Sequence, residues 1–489
     1  MASQESFQDG SQEIRVRFIP YDRVEIEAPK LRLVKSHHAP PNWLVSVPGD
    51  DGSVGPLSFD QMVAWTEEAL GDSPLREHIV EIGKFETSRD RLRAHWRAGW
   101  SRPDASAEGV IQGVTLSPGN YCSAGCAYCY AKPRFTNAPT DQTSDDTLRQ
   151  TFAFIHGNPR VRPGCAVTIG GGGDGLENFA FYRRAVELSR QYEQDHQVKI
   201  PVYLATVDPL RLVSNPEMLD LILENQQWIT LSIDGDAHLP YHRPRVDFRP
   251  LLERYRGRCH WSASAVFTAR TAQHIHHNYL YLLDAGFEAI QMIPARLAKS
   301  HHLHLEAEHF SVAVAQYREL LDQLVAEGRL GEFLLRLTTG DTLGRFFYRY
   351  LTEKEAGLRC GAGIATVFAD PLGRLYPCPS STHQSAQLGD VSTGLSRLPV
   401  IDALSTKPEE CLSCRILKAC GGPCTHESLL LHEIPGQVTP AVCDFQRGIC
   451  DLITEQISRL YNEDPHSLNE LFATFVVQAA GVSLEAVIG

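Results

Sequence analysis

The 489-residue chain has no apolar run approaching the ~20 residues that a membrane-spanning helix needs. Its first residues, Met1 to Gln12, are polar and acidic, with neither the basic start nor the apolar core of a signal peptide. The expectation is a cytoplasmic protein without a membrane partner. Positive charge is in deficit: 46 Lys and Arg stand against 59 Asp and Glu, a formal net charge of -13. That excludes a broad nucleic-acid-binding surface, though not a local basic groove. No repeat is present beyond an alternation of β and α segments, and no low-complexity tract. Cysteine is scarce outside two regions, since only Cys165 and Cys259 of the 13 lie elsewhere. A disulfide framework does not suit a long chain without a secretion signal, whereas cysteines clustered at short spacings bind metal.

What is present is ordinary globular material, 43% hydrophobic and 21% charged. Residues 1–105 read as a separate α+β region. Ile14, Val16 and Phe18 alternate with polar residues and Val24 and Ile26 repeat the pattern, which predicts a hairpin. Pro40, Pro41 and Gly49 to Gly55 mark a loop, and Ser58 is placed to cap a helix to Leu70. Over 106–330, six short apolar strands alternate with helices: Val110–Leu116, Ala166–Ile169, Ile200–Ala205, Trp228–Ile233, Trp261–Phe267 and Glu288–Ile293. Asn215 before Pro216 reads as a helix start. Six βα units imply a parallel sheet, either doubly wound or a partial barrel, with the chemistry at the C-terminal strand ends. A helical connector with a break at Gly340 spans 331–357, a cysteine-rich region 358–450 and a helical tail 451–489, its apolar side at Leu468, Leu471, Phe472, Phe475 and Val476.

Cys122, Cys126 and Cys129 follow the first strand with spacing Cys-x3-Cys-x2-Cys. Three thiolates on one loop hold three irons of a cubane cluster and leave the fourth iron open to a chelating cofactor. A structural zinc site is the rival reading and needs a fourth ligand nearby. With Tyr128 just before the last cysteine, this loop resembles that of the radical S-adenosylmethionine superfamily. The resemblance implies a partial (βα)6 barrel, a [4Fe-4S] cluster on the three cysteines, and Tyr128 near the adenine of S-adenosylmethionine. It also implies a Gly-Gly-Glu-like motif after the second strand that binds the methionyl amine. Gly172, Gly173 and Asp174 are the nearest match, with Asp in place of Glu and Gly175 where Pro is common. The run 170–175 also satisfies the dinucleotide fingerprint G-x-G-x-x-G, but the acid expected about 20 residues later falls within a helix. Ser232, before Ile233-Asp234-Gly235, resembles a cofactor-contacting residue of the family, and reads equally as part of a strand-end turn.

Further on come Cys360-x12-Gly373-x4-Cys378, Cys411-x2-Cys414-x5-Cys420-x3-Cys424 and Cys443. These closely resemble the SPASM signature of peptide-modifying members. A zinc ribbon accounts for Cys411 and Cys414 but not for all seven. The resemblance implies two auxiliary [4Fe-4S] clusters, three in total. Cys411, Cys414, Cys420 and Cys443 would hold the distal one, and Cys360, Cys378 and Cys424 the nearer. Either Cys450 completes the nearer set or one iron stays open. Cys165 and Cys259 read as core residues.

His274, His276 and His277, and His301, His302 and His304, lack a carboxylate partner at ligand spacing and read as solvated, the second group being the one that could contact substrate at the barrel mouth. Tyr241, His242 and Arg243, just after the fourth strand, stand where a general base or substrate clamp could sit, and read rather as a polar surface loop. No catalytic acid or base stands out. The resemblance implies an oxidoreductase that cleaves S-adenosylmethionine to a 5′-deoxyadenosyl radical and modifies a ribosomally made precursor peptide, by crosslink, thioether or related C–H chemistry. A low-potential donor such as flavodoxin or ferredoxin would supply electrons, and residues 1–105 would bind the peptide's leader by strand addition. The alternatives are oxidation of a residue in a folded protein, as in sulfatase maturation, oxidation of a small molecule, or a non-catalytic iron–sulfur carrier or scaffold.

Overall fold

The computed structural model describes residues 5–9, 12–37, 43–47, 53–99, 110–131, 142–236, 238, 243, 246–356, 359–396, 407–434 and 436–480. Pro40, Pro41, Gly49, Tyr241 and His242, and the side chains of Phe475 and Val476, lie outside what is described.

The N-terminal alternation forms the expected hairpin and more. Glu5–Asp9 (β1), Gln12–Ile19 (β2), Arg23–Ala28 (β3), Leu31–Ser36 (β4), Trp43–Ser46 (β5) and Ser53–Leu57 (β6) make one antiparallel sheet in chain order. Val16 stands opposite Ile26, and the period of two buries Ile14, Val16, Phe18, Leu31 and Leu33 on one face. Ser58 caps the helix Phe59–Leu70 in a capping box with Gln61. Arg89 of the helix Pro74–Gly99 lies 5.6 Å from the Phe18 ring centroid, and the face is packed chiefly by the helix Pro440–Glu463. Asn462 of the latter exchanges two hydrogen bonds with the Val16 backbone, at 2.9 and 3.2 Å.

Six parallel strands follow in the middle of the chain: Ile111–Leu116 (β7), Val161–Ile169 (β8), Val202–Leu204 (β9), Trp228–Ser232 (β10), His260–Phe267 (β11) and Ala289–Pro294 (β12). β7, β8 and β9 pair in that order, as do β10, β11 and β12, and a parallel bridge from Val207 to Leu231 joins the two groups. The order contains no reversal, so the doubly wound alternative and its nucleotide crevice are excluded. The strands read as near-continuous apolar runs because both faces are covered, with Val114, Val167, Leu231, Ala263 and Ile290 at most 1% exposed.

Two expectations are corrected. Asn215 does not start a helix. It closes the short helix Pro209–Ser214, its N–H bonding the Arg211 carbonyl, and the next helix, Glu217–Leu223, has Pro216 at its cap with no side-chain bond. The boundary drawn at 450 falls inside the helix Pro440–Glu463, since a stripe of Phe445, Ile449, Leu452, Ile453 and Ile457 carries burial straight through it. The break at Gly340 is present. It separates Leu330–Arg336 from Thr342–Thr352, and Asp341 caps the second helix through the N–H groups of Leu343 and Gly344. Burial pushes the Asp341 carboxyl up to about 6, and its second oxygen accepts from Tyr279 and from the Met292 N–H of β12.

The cysteine-rich region is continuous with the central sheet. Thr366–Ala369 (β13) pairs parallel with β7 on the side away from β8, and Arg374–Tyr376 (β14), Gly389–Asp390 (β15) and Gly394–Leu395 (β16) extend the sheet antiparallel. Gly373 makes the β13–β14 turn at φ +85°, a conformation open to glycine. Among the described residues, no helix is long and apolar enough to cross a membrane.

Candidate active site and cysteine centres

Every one of the six parallel strands delivers residues to one cavity of about 250 Å³ at their C-terminal ends. Cys122, Cys126, Tyr128 and Cys129 come from the loop after β7, and Gly171, Gly173 and Asp174 from the loop after β8. Thr206 and Asp208 follow β9, Ser232 ends β10, Val266 belongs to β11, and Ile293 to Arg296 come from the end of β12. Ser380, from the cysteine-rich region, closes one side.

The cysteine loop is held from below and from the flanks. The Ser117 hydroxyl donates to the Gly119 carbonyl, and the Ser117 N–H to the Ala369 carbonyl of β13, at 2.8 and 2.9 Å. Ser123 donates to the Glu177 carboxylate through its N–H and hydroxyl, at 3.0 and 2.8 Å, and Arg211 bonds both Glu177 and Ser123. The glycine run explains itself at this loop. A Cβ on Gly172 would lie 1.8 Å from Ser117 Oγ, and one on Gly173 would lie 2.6 Å from the Tyr121 carbonyl oxygen. Gly172 therefore packs under the loop and does not line the cavity, where Gly171 takes its place. The Asp174 carboxylate accepts from the Leu176 and Asp208 N–H groups, tying the second strand end to the third. Its burial raises the pKa to about 6.

Arg243 corrects the reading of its segment as a polar surface loop. Its guanidinium lies 5.3 Å from the Tyr128 ring centroid and donates to Cys126 Sγ at 3.2 Å. Asp234, 2% exposed, accepts from the Tyr128 hydroxyl, from the Val266 N–H at 3.0 Å and from the Arg243 N–H at 3.1 Å. Asp234 and Arg243 thus hold the aromatic ring and one cysteine in register. The one signal available in advance was the Asp-Gly pair closing the fourth strand.

At the other end, Cys411, Cys414, Cys420, Cys424 and Cys443 surround a second cavity with Arg359 and Arg447. Cys424 also neighbours Cys378, whereas Cys360 is exposed nearby, close enough for its charge to reach Arg359. Cys450 is wholly buried, faces Tyr350 and neighbours Cys420. Burial, with Arg359 and Arg349 beside it, pushes the Arg345 guanidinium down to about 9. Cys165 and Cys259 are core residues, 2% and 5% exposed. The histidines are engaged elsewhere: His276 with Gln323, His277 with Asp236, and His304 with the Leu297 carbonyl.

Among the described residues, no three His, Cys, Asp or Glu side chains converge on a point where a single ion would sit. The thiols instead stand apart around two cavities, and the buried Nε of Arg359 beside the second lacks a hydrogen-bond partner. Sulfur donors spread around a hollow, with an unsatisfied guanidinium nitrogen at its wall, fit a multi-iron anionic group.

No protein-family model matches the chain. It is 22% identical over 349 residues to a serine-type anaerobic sulfatase-maturating enzyme of Bacteroides thetaiotaomicron, covering 64% of this chain and 82% of that protein. It is 31% identical over 118 residues to the mycofactocin maturase MftC of Mycolicibacterium smegmatis, 22% of this chain and 29% of that one. The fold matches a solved structure of anSMEcpe with bound AdoMet at a TM-score of 0.58 and 16% identity, covering 74% of this chain and 98% of that chain. The chain resembles the radical S-adenosylmethionine maturases in sequence and in fold. It is accordingly an enzyme of oxidoreductase type. The same fold is seen in anSMEcpe with bound AdoMet and the Cp18Cys peptide, at a TM-score of 0.57 and 16% identity, over 72% of this chain and 99% of that one.

Proposed function

We propose that this enzyme uses S-adenosylmethionine and three [4Fe-4S] clusters to modify a ribosomally made precursor peptide by C–H abstraction. The supporting observation is the single cavity to which all six parallel strands of a partial barrel contribute, with the three-cysteine loop on its wall. When bound there, a cluster on Cys122, Cys126 and Cys129 supplies one-electron cleavage of the cofactor to a 5′-deoxyadenosyl radical. The chain's own residues do the rest. Tyr128 offers its ring to the adenine, Gly173 and Ser232 offer polar surface to the methionyl end, and Arg243 with Asp234 fixes the ring and the Cys126 thiol. The apolar wall of Val266, Ile293 and Pro294 keeps water from the reacting carbon. Cys411, Cys414, Cys420 and Cys443 would hold the distal auxiliary cluster, and Cys360, Cys378 and Cys424 the nearer one, completed either by Cys450 or by a substrate heteroatom. Peptide as substrate class accords with the Cp18Cys peptide bound in anSMEcpe. The sheet of β1–β6 would hold the leader, and flavodoxin or ferredoxin would supply electrons in the cytoplasm.

A second reading, oxidation of a residue in a folded sulfatase-like partner, is favoured by the long match to the Bacteroides enzyme. Reduced, reconstituted protein incubated with the cofactor should release 5′-deoxyadenosine. A short peptide encoded beside this chain should lose hydrogen by mass spectrometry. If only a folded sulfatase loses hydrogen, the second reading holds. If no 5′-deoxyadenosine forms, both fall.

A further inference from the structure

Arg345 and Arg349 lie one turn apart on the helix Thr342–Thr352, and Arg359 follows on the wall of the second cavity. Among the described residues, none of the three forms an ion pair with a carboxylate. Arg349 donates to the carbonyl of Ala419, the residue before Cys420, and Arg345 to Gln446 Oε1 at 2.5 Å, both neutral acceptors. The Nε atoms of Arg345 and Arg359 are buried with no hydrogen-bond partner. Arg345 feels chiefly the like charges of Arg359, Arg349 and Arg296, opposed by Cys420, while Arg359 has Glu427 and three cysteines opposite it. Arg345 and Arg349 thus have no carboxylate opposite them, and burying a cation in that way is costly, a cost that neutral thiols do not repay. Four thiolates around a cubane carry net negative charge, and one further negative charge when the cubane is reduced.

We propose that Arg345, Arg349 and Arg359 are positioning residues that supply countercharge for the auxiliary clusters, Arg345 and Arg349 on the Cys420 side and Arg359 between Cys420 and the nearer set, holding the reduction potential up and making this end of the fold depend on cluster assembly. The proposal rests on the reading of Cys411, Cys414, Cys420 and Cys443 as cluster ligands. Cluster potentials respond to nearby charge, and an added electron is favoured most where fixed cations surround it. Binding of the group is then also folding free energy, because only the loaded site neutralises the arginines.

The test uses the full-length chain, reconstituted, with iron and zinc measured first. Wild-type protein with iron for the first cluster alone, or with zinc at the second cavity, overturns the cluster reading and this inference with it. With auxiliary iron present, Arg345→Met should shift the oxidised-to-reduced ratio of an auxiliary cluster about tenfold at fixed potential, 59 mV downward for a one-electron couple. Its effect on melting should change sign, raising the Tm of the iron-stripped chain and lowering that of the loaded one. Arg349→Gln, which keeps a donor for the Ala419 carbonyl, should lower the potential in the same way and covers a failure of the first variant to fold. An arginine serving only as a hydrogen-bond donor would leave both potentials unmoved in these variants, and that result overturns the proposal.

Discussion

At Gly172 and Gly173 the backbone needs room for a neighbouring loop as much as for a ligand. A side chain at 173 would press on the Tyr121 carbonyl, one residue from Cys122, so cofactor and iron should be lost together. We expect Gly173→Val to lower both S-adenosylmethionine affinity, by equilibrium dialysis, and iron content. Full iron with weakened cofactor binding would assign the glycine to the cofactor alone. Tyr128 offers a cleaner separation. Tyr128→Phe leaves the ring in the cavity but removes one of the donors to a buried carboxylate, a loss of about 1–3 kcal/mol in urea unfolding. Cofactor affinity should hold. That Cys122, Cys126, Tyr128 and Cys129 share one cavity wall was legible because they are local in sequence. Arg243 was not, because its partner Cys126 is reached only through the closing of the strands.

The six parallel strands were legible as short apolar runs. Their continuation into the cysteine-rich region was not, because β13 and β14 are four and three residues long and β13 pairs with a strand remote in sequence. That continuation divides the auxiliary cysteines into two kinds. Cys378 lies just beyond β14, beside Ser380 on the cavity wall, so Cys378→Ala should depress both 5′-deoxyadenosine formation and substrate modification. Cys411 and Cys414 sit on a separate segment that does not enter the sheet. Replacing both by Ala should abolish modification while a strong reductant still supports cofactor cleavage. Equal loss of cleavage in both variants, with circular dichroism unchanged, would show that the sheet makes no such distinction. Replacing Cys122, Cys126 and Cys129 by Ala should remove about a third of roughly twelve irons. Unchanged iron would contradict a first cluster on that loop.

Over the whole molecule, the N-terminal region proves less separate than its sequence pattern suggests. Glu86 and Arg89, on the helix Pro74–Gly99, meet Tyr461 of the C-terminal helix and Glu353 of the connector, with His37 between the two carboxylates. Isolated polar residues spread over several hundred positions give no periodic signal, so this network was illegible beforehand. Burial alone would raise the Glu86 pKa, but Arg89 and His37 outweigh it and hold the carboxyl well below its ordinary 4.5. Glu353 is lowered in the same manner. Folded carboxylates with depressed pKa add stability above about 4.5 that is lost as the pH falls toward their folded values. Glu86→Gln should cost about 3–5 kcal/mol at neutral pH, since it breaks a buried pair. Its urea midpoint should then fall less than that of wild type between pH 5 and pH 3, roughly the window in which an unfolded glutamate titrates. Parallel decline of the two proteins would mean that Glu86 carries no linked proton.

The pairing of β13 with β7 also has a consequence in time. A ribosome releases Ile111–Leu116 and the cysteine loop long before Thr366–Ala369, so during synthesis that flank of the first strand is an open edge. The N–H of Ser117, at the base of the loop, has no partner until Ala369 arrives. Iron delivered to the nascent chain therefore meets an unfinished cradle, and the first cluster site is completed only when the region bearing the later cysteines has been made. Insertion of the proposed metal groups would in this sense be ordered by translation itself, a late-made strand closing the first-made site.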